Sequence, residues 1–213
     1  ICPIDIGMVP DSSVRNCKVA RGTKNMAVEP AMTRDEAIQA LETGIMLACE
    51  KKDQGYDILA TGEMGIGNTT TSSAVTAVLL GREPSDVTGR GAGLSDRGLE
   101  KKKQVIRQAI ELLAPDPADP VDVLAKVGGF DLAGLTGVFL AGAAAGIPVI
   151  IDGFISLTAA LVAARIAPAC VPYLIPSHAS KEPASAMLLQ ALQLEPGICM
   201  DMCLGEGSGA VAL

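Results

Sequence analysis

Aromatic side chains are almost missing: the 213-residue sequence has no tryptophan, two tyrosines and three phenylalanines. A module that stacks bases on aromatic rings is therefore excluded, and the core must be filled by Ala, Val, Ile and Leu. Positive charge is also scarce, with 17 Lys and Arg against 24 Asp and Glu and a net charge of -7. That balance excludes a broad polyanion-binding surface, so nucleic acid is not an expected partner and any bound phosphate must meet a local pocket. The one histidine, His178, lies well upstream of Cys199 and Cys203, the only cysteine pair with helical i, i+4 spacing. Zinc needs three or four ligands, so no metal is expected. The six cysteines (Cys2, Cys17, Cys49, Cys170, Cys199 and Cys203) are scattered, and the sequence shows no secretory n-region or h-region. This usage fits reduced thiols and a cytoplasmic location.

Long apolar runs are equally few. Leu132 to Ile151 carries no charge, and a segment of about twenty such residues could span a bilayer. Gly134, Gly137, Gly142 and Gly146 dilute it, however, and Gly146-Ile147-Pro148 ends a helix before the strand Pro148-Val149-Ile150-Ile151. Helix, turn and buried parallel strand is the expected reading, with no membrane partner.

What the sequence does have is small aliphatic residues, 23 glycines and 13 prolines, a mixture suited to helices packed closely on a parallel sheet. Residues 4–8 read as a strand, followed by a loop carrying Arg15, Lys18, Arg21 and Lys24. Thr33-Arg34-Asp35-Glu36 has capping-box spacing and predicts a helix that lasts until Gly55. A strand over 57–61 runs into the glycine loop from Gly62 and a helix through Leu80. A further helix is expected over 96–113, stopped by the proline-rich Pro115-Asp116-Pro117-Ala118-Asp119-Pro120, with helix and strand units following around 121–127, 131–152, 154–165, 173–194 and the C-terminus. Strands alternating with helices indicate an α/β fold, a doubly wound and mostly parallel sheet.

Three glycine clusters carry possible chemistry. Gly62 to Thr69 has the spacing of a nucleoside-triphosphate loop, but Asn68 stands where that motif requires lysine. Gly65-Ile66-Gly67 lacks the third glycine of a dinucleotide fingerprint, because Thr70 occupies its place, and Gly89-Arg90-Gly91-Ala92-Gly93 is equally irregular. What survives is a loop whose Gly65, Gly67 and Asn68 amides, at a helix start, could hold one phosphate monoester; a tight turn is the alternative. Glu100-Lys101-Lys102-Lys103 reads as a first helical turn whose cations oppose the macrodipole, which an anionic ligand would relieve; a solvated cationic face is the alternative. Glu206 lies between Gly205 and Gly207 with apolar residues beyond them and no basic neighbour in sequence. Burial there would raise its pKa toward that of a general base; a helix cap or turn is the alternative.

Six strings occur together and in order: Gly62-Glu-Met-Gly-Ile-Gly-Asn-Thr-Thr70, Thr88-Gly-Arg-Gly-Ala-Gly-Leu94, Val123-Leu-Ala-Lys-Val-Gly-Gly-Phe-Asp131, Ile147-Pro-Val-Ile-Ile-Asp-Gly-Phe154, Tyr173-Leu-Ile-Pro-Ser-His178 and Leu204-Gly-Glu-Gly-Ser-Gly-Ala210. Over essentially the whole chain they resemble the nicotinate-nucleotide:dimethylbenzimidazole phosphoribosyltransferase family. The resemblance implies a Rossmann-like large domain with part of a smaller helical domain. Residues 1–180 would form the nucleotide-binding domain, and residues 181–213 would carry the catalytic loop and contribute to the small domain. It implies transfer of the phosphoribosyl group of nicotinate mononucleotide to 5,6-dimethylbenzimidazole, with inversion, without cofactor or metal, in a homodimer. Glu206 matches the catalytic base and Glu63 the group that stabilises positive charge at the sugar. Gly65, Asn68, Gly91, Lys102, Asp152, Gly153, Ser180 and Leu204 match substrate-binding positions, with Lys102 the phosphate countercharge and Leu204 against the aromatic base; His178 would support the Ser180 loop. The family pattern is longer and Ile1 falls well inside it, so the N-terminal helices and part of the base pocket are expected outside these residues. A relative that binds a mononucleotide without turnover is the alternative.

Overall fold

The computed structural model describes residues 1–10, 12–199, 202 and 204–213. Thr33 caps the first helix, α1 (Arg34–Asp53), and the reciprocal bond from the Thr33 N–H to the Glu36 carboxylate completes the capping box. The opposite end is closed by Gln54 and by Gly55 at φ +85°. Helix α1 lies along α6 (Phe130–Ala145), and glycines set how closely. A Cβ on Gly44 would stand 1.9 Å from the Gly134 carbonyl oxygen, and one on Gly137 would stand 2.0 Å from that of Leu41. The two backbones touch where larger side chains would hold helices 8–10 Å apart.

Among the described residues two short parallel sheets organise the fold. Strands β1 (Ile4–Asp5) and β2 (Arg15–Asn16) pair beside the start of α6. The main sheet has the order β3 (Leu59–Ala60), β4 (Val149–Ile151), β5 (Leu174–Pro176), all parallel. Between β3 and β4 run α2 (Asn68–Leu80), α3 (Pro84–Val87), α4 (Asp96–Leu113), α5 (Pro120–Val127) and α6. Helix α7 (Phe154–Ile166) and a 3-10 turn link β4 to β5, and α8 (Ala184–Leu192) and α9 (Ser208–Ala212) follow.

The α/β reading holds: parallel strands are flanked by helices. The run from Leu132 resolves into α6, a turn at Gly146 (φ +71°) and β4. Among the described residues no helix is long and apolar enough to cross a membrane. Helix α7 is buried along nearly its whole length, and Leu157 and Leu161 join Phe139, Ile151, Leu124 and Leu188 in one aliphatic core. Each such side chain contributes about 1.5–3 kcal/mol by leaving water. Residues of α8 share this core, so α8 is packed onto α7 and α2.

Candidate active site

All three strands of the main sheet point their C-terminal ends at one place, where α/β folds build their sites. Beyond β3, Thr61 donates to the Ile150 carbonyl at 2.9 Å and lies 2.6 Å from the Ser156 hydroxyl, which pins the start of the glycine loop to β4 and α7. Beyond β4, Asp152 is buried, and its carboxylate accepts three backbone N–H groups: Gly207 at 3.0 Å, Gly209 at 2.8 Å and Ala210 at 3.2 Å. These are the free amides at the start of α9, so Asp152 caps that helix from a distant strand. Beyond β5, Ser177 donates to the Asp152 carbonyl at 2.9 Å, and its hydroxyl lies 2.9 Å from Nδ1 of the buried His178. A Cβ on Gly209 would fall 2.1 Å from that Nδ1, so the imidazole and the glycine share a space that admits no further atom.

The Asp152 anchor suspends Glu206. Gly205, Glu206 and Gly207 have φ values of +75°, +60° and +82°, three successive left-handed residues. For glutamate that conformation costs about 1–2 kcal/mol, and only the surrounding bonds hold it. Gly62 gives this turn room, since a Cβ there would sit 2.8 Å from the Gly207 nitrogen. The expected burial of Glu206 is not what the structure shows: Glu206 is exposed, and Leu204 beside it is 73% exposed. Of the apolar neighbours Leu204 turns outward, whereas Ala210 beyond the left-handed turn is buried.

Glu63 is the half-buried glutamate instead. Its carboxyl is pushed up to about 7, first by burial; the Asn68 amide opposes the rise, while Asp131, Asp152 and Glu206 add to it. The Asn68 side-chain nitrogen bonds both Glu63 and Asp131, the latter at 2.8 Å. Its backbone N–H turns onto the Gly65 carbonyl at 3.3 Å, so neither of its nitrogens is simply held open for a ligand. A Cβ on Gly205 would stand 3.4 Å from Glu63 Oε1, which sets Glu63 against the Glu206 turn. Among the described residues, no lysine or arginine forms an ion pair with Glu63, Asp131, Asp152 or Glu206. The same residues include no group of three or more His, Cys, Asp or Glu placed to hold a metal ion.

The next residue along α2 faces the opposite charge. Thr69 accepts from the Lys102 ammonium at 2.9 Å, and Lys102 also donates to the Gly89 carbonyl at 3.2 Å. Lys102 is buried, which pulls its pKa below the ordinary value, with Glu182 acting the other way. Gly91, at φ +54°, donates its N–H to Glu182 at 3.0 Å, and a Cβ there would meet the Thr69 hydroxyl at 2.7 Å. The Ser180 hydroxyl accepts the Glu182 N–H at 3.4 Å, and the Ser180 N–H donates to the Ser185 hydroxyl at 3.0 Å. The macrodipole argument for Lys101 to Lys103 does not hold. Ser95 caps α4 one residue before Asp96, so these lysines fall in its second turn, beyond the reach of the end charges. Burial, not position in the helix, marks Lys102 out from exposed Lys101 and from Lys103, which pairs with Glu100.

The residues expected from sequence thus form two groups. Glu63, Gly65, Asn68, Asp152 and Glu206 make an acidic half, with Gly153 beside it against His178. Lys102, Gly91 and Ser180 make the other half, with a cation at its centre. Leu204 stands outside both on the exposed rim. Sequence reasoning missed Asp131 and Glu182. Asp131 closes one of the six strings and could have been found there; Glu182 has no local signal. Cys203 lies outside the described residues.

Comparison with known proteins shows the family. The phosphoribosyltransferase family profile matches residues 1–213. The nicotinate-nucleotide–dimethylbenzimidazole phosphoribosyltransferase of Ruminiclostridium cellulolyticum is 52% identical over 213 residues, covering 99% of this chain and 60% of that one. The enzyme of the same name from a Roseiflexus species is 56% identical over 196 residues, 92% of this chain and 56% of its own. The crystal structure of CobT from Thermus thermophilus superposes with a TM-score of 0.92 at 42% identity, covering 98% of this chain and 63% of that one. The chain therefore spans about three-fifths the length of the first of these relatives. With the family profile, the sequence identity and the superposition in agreement, the chain belongs to the phosphoribosyltransferase family.

Proposed function

We propose that this chain provides the nucleotide site and catalytic carboxylates of an enzyme that transfers the 5-phosphoribosyl group of nicotinate mononucleotide to 5,6-dimethylbenzimidazole. The products are α-ribazole 5'-phosphate and nicotinate. The observation that carries the reading is the separation of charge across the first turn of α2, where Asn68 faces carboxylates and Thr69 faces Lys102. Nicotinate mononucleotide is itself dipolar, with a cationic pyridinium at the anomeric carbon and an anionic phosphate at the far end of the ribose. Its phosphate matches Lys102, and its pyridinium and anomeric carbon match Glu63.

In the reaction one benzimidazole nitrogen attacks the anomeric carbon from the face opposite the pyridinium. The bond to nicotinate breaks with its electron pair returning to the pyridine nitrogen. Glu206, facing substrate from its exposed turn, takes the proton from the other benzimidazole nitrogen. Glu63 in its ionised form offsets the positive charge that develops on the sugar. Attack opposite the leaving group converts a β-nucleotide into an α-nucleotide. Asp152 holds the Glu206 turn, Gly65 gives the Asn68 amide and the Asp131 carboxylate their places, Gly153 lies against the His178 ring, and Gly91 and Ser180 shape the phosphate end. Leu204 offers its exposed side chain to the aromatic base. The same reading makes the protein a cytoplasmic homodimer, and the exposed Ile38, Ile45 and Met46 on α1 support the association.

Calorimetry with nicotinate mononucleotide, followed by product analysis after adding dimethylbenzimidazole, tests this reading on both this chain and the full-length protein. Binding with release of nicotinate and formation of the new nucleotide by the full-length protein is the expected result. Tight binding with no product from either protein would favour a nucleotide-binding relative without turnover.

A further inference from the structure

Asp131 lies outside every role given above, yet several features of the chain are shaped around its carboxylate. It stands in the first turn of α6, where Oδ1 accepts the Leu132 N–H at 2.9 Å. Oδ2 accepts the Asn68 side-chain amide at 2.8 Å, and that same nitrogen donates its other hydrogen to Glu63. A primary amide has two N–H donors, so both are committed and the Asn68 plane is fixed from two sides. Glycines clear the space. A Cβ on Gly65 would stand 2.7 Å from Asn68 Nδ2 and 2.8 Å from Asp131 Oδ2, and one on Gly129 would stand 2.5 Å from Asp131 Oδ1. Asn68 is buried, so releasing either hydrogen would leave an unpaired donor in a poorly solvated place.

We infer that Asp131 is a positioning residue for the reaction: through the two-donor amide of Asn68 it fixes the orientation of the Glu63 carboxylate. This rests on the function proposed above. A second effect accompanies the first, because Asp131 is one of the carboxylates that raise Glu63. The charged groups facing Glu63 are Asp131 from α6, Asp152 from the end of β4 and Glu206 from the turn before α9, while α2 contributes only the neutral Asn68. Asp131 therefore fixes where Glu63 points and adds to the rise in its pKa, of which burial is the larger cause.

Two substitutions separate these effects in the full-length protein. Asp131→Asn keeps an oxygen for the Asn68 amide and removes the charge; Asp131→Ala removes both. Asp131→Asn is expected to retain turnover within about threefold and to move the acid limb of kcat/KM down by about half to one pH unit. Asp131→Ala is expected to lower kcat by about 10- to 100-fold with a smaller change in KM, since misorientation affects the transition state more than ground-state binding. The Glu63 carboxyl resonance, followed by carbon NMR on 13C-labelled protein, supplies a reading independent of turnover. A lower midpoint in Asp131→Asn supports the inference even if the reaction assignment fails. An unmoved midpoint, or full kcat in Asp131→Ala, overturns it. If Asp131→Ala does not fold, the midpoint and kcat of Asp131→Asn decide the matter.

Discussion

Asp152 Oδ2 accepts the Gly207 N–H at 3.0 Å, one residue beyond Glu206, and so ties the end of the central strand to the turn that carries the proposed base. Two further amides of the same turn and helix reach Oδ1. A carboxylate accepting several amides is worth more than a neutral acceptor, about 1.5–3 kcal/mol for a single bond to a charged group. Asp152→Ala should therefore free the last turn locally. Exchange of the amides between Gly205 and Leu213 should accelerate by about 30-fold or more, equivalent to about 2 kcal/mol, while α1 and α6 stay protected. Unchanged exchange would show that the turn is held by other contacts.

Glu206→Gln should leave affinity for nicotinate mononucleotide roughly intact and lower turnover by about 100-fold or more, as expected when a general base is removed. The substitution preserves size and leaves the Asp152 bonds in place, because these are made by backbone amides. Single-turnover kinetics beside calorimetry give both quantities. Turnover equal to that of the parent protein would remove Glu206 from the mechanism.

Glu63 gives a prediction about pH. Its carboxyl rises from 4.5 to about 7 on folding, so between those values the folded chain holds a proton that the unfolded chain releases. Below about 4.5 both states are protonated and Glu63 is neutral in its effect; the destabilisation grows across the window and is complete above about 7. Glu63→Gln should therefore stabilise the protein by about 1–3 kcal/mol near pH 8, the range allowing for solvent screening of a half-buried group, and by almost nothing near pH 4. Denaturant unfolding at the two pH values reads the difference directly. An equal effect at both would show that burial of the carboxyl is not the cause.

Lys102→Met keeps much of the buried volume and removes the ammonium between Thr69 and Gly89. Affinity for nicotinate mononucleotide should weaken by about 10- to 100-fold, and affinity for the uncharged nucleoside should change much less. Parallel titrations with nucleotide and nucleoside make the comparison. Equal losses for both ligands would assign Lys102 a purely structural role.

The contact between α1 and α6 should be intolerant of a single methyl group. Gly44→Ala would place Cβ 1.9 Å from the Gly134 carbonyl oxygen, a backbone atom that moves only with its helix. The gain in helix propensity, about 1 kcal/mol, is smaller than the expected strain, so a net loss of about 1–3 kcal/mol should appear in thermal unfolding. A rise in melting temperature would mean that the helices separate more easily than their close approach suggests.

Local signals carried much of the fold. The capping box at Thr33, the proline-rich stop after Leu113 and the Gly146-Ile147-Pro148 break all delimit elements where the sequence places them. The short helix α3 was not legible, because Pro84 to Val87 is a single turn with no hydrophobic period. At the site, the glycine strings located the loops, but burial was assigned to the wrong carboxylate. Flanking apolar residues do not decide the burial of a residue held in a left-handed turn, and Glu206 sits in such a turn between exposed Leu204 and buried Ala210. The raised pKa of Glu63 depends partly on residues distant in sequence, among them Asp131, which ends one of the six strings but whose approach to Glu63 that string does not reveal. Lys102 likewise owes its buried place to the Thr69 and Gly89 contacts and not to its neighbours in the lysine run.

In the proposed reaction the acidic and cationic halves of the site act together to invert the anomeric carbon of a dipolar nucleotide. The most direct measurement is the proton NMR spectrum of the product formed by the full-length protein from nicotinate mononucleotide and dimethylbenzimidazole, with nicotinate quantified in the same sample. The predicted result is one equivalent of nicotinate for each α-configured ribazole phosphate. A β-configured product, or nicotinate released without any new glycosidic bond, would contradict it.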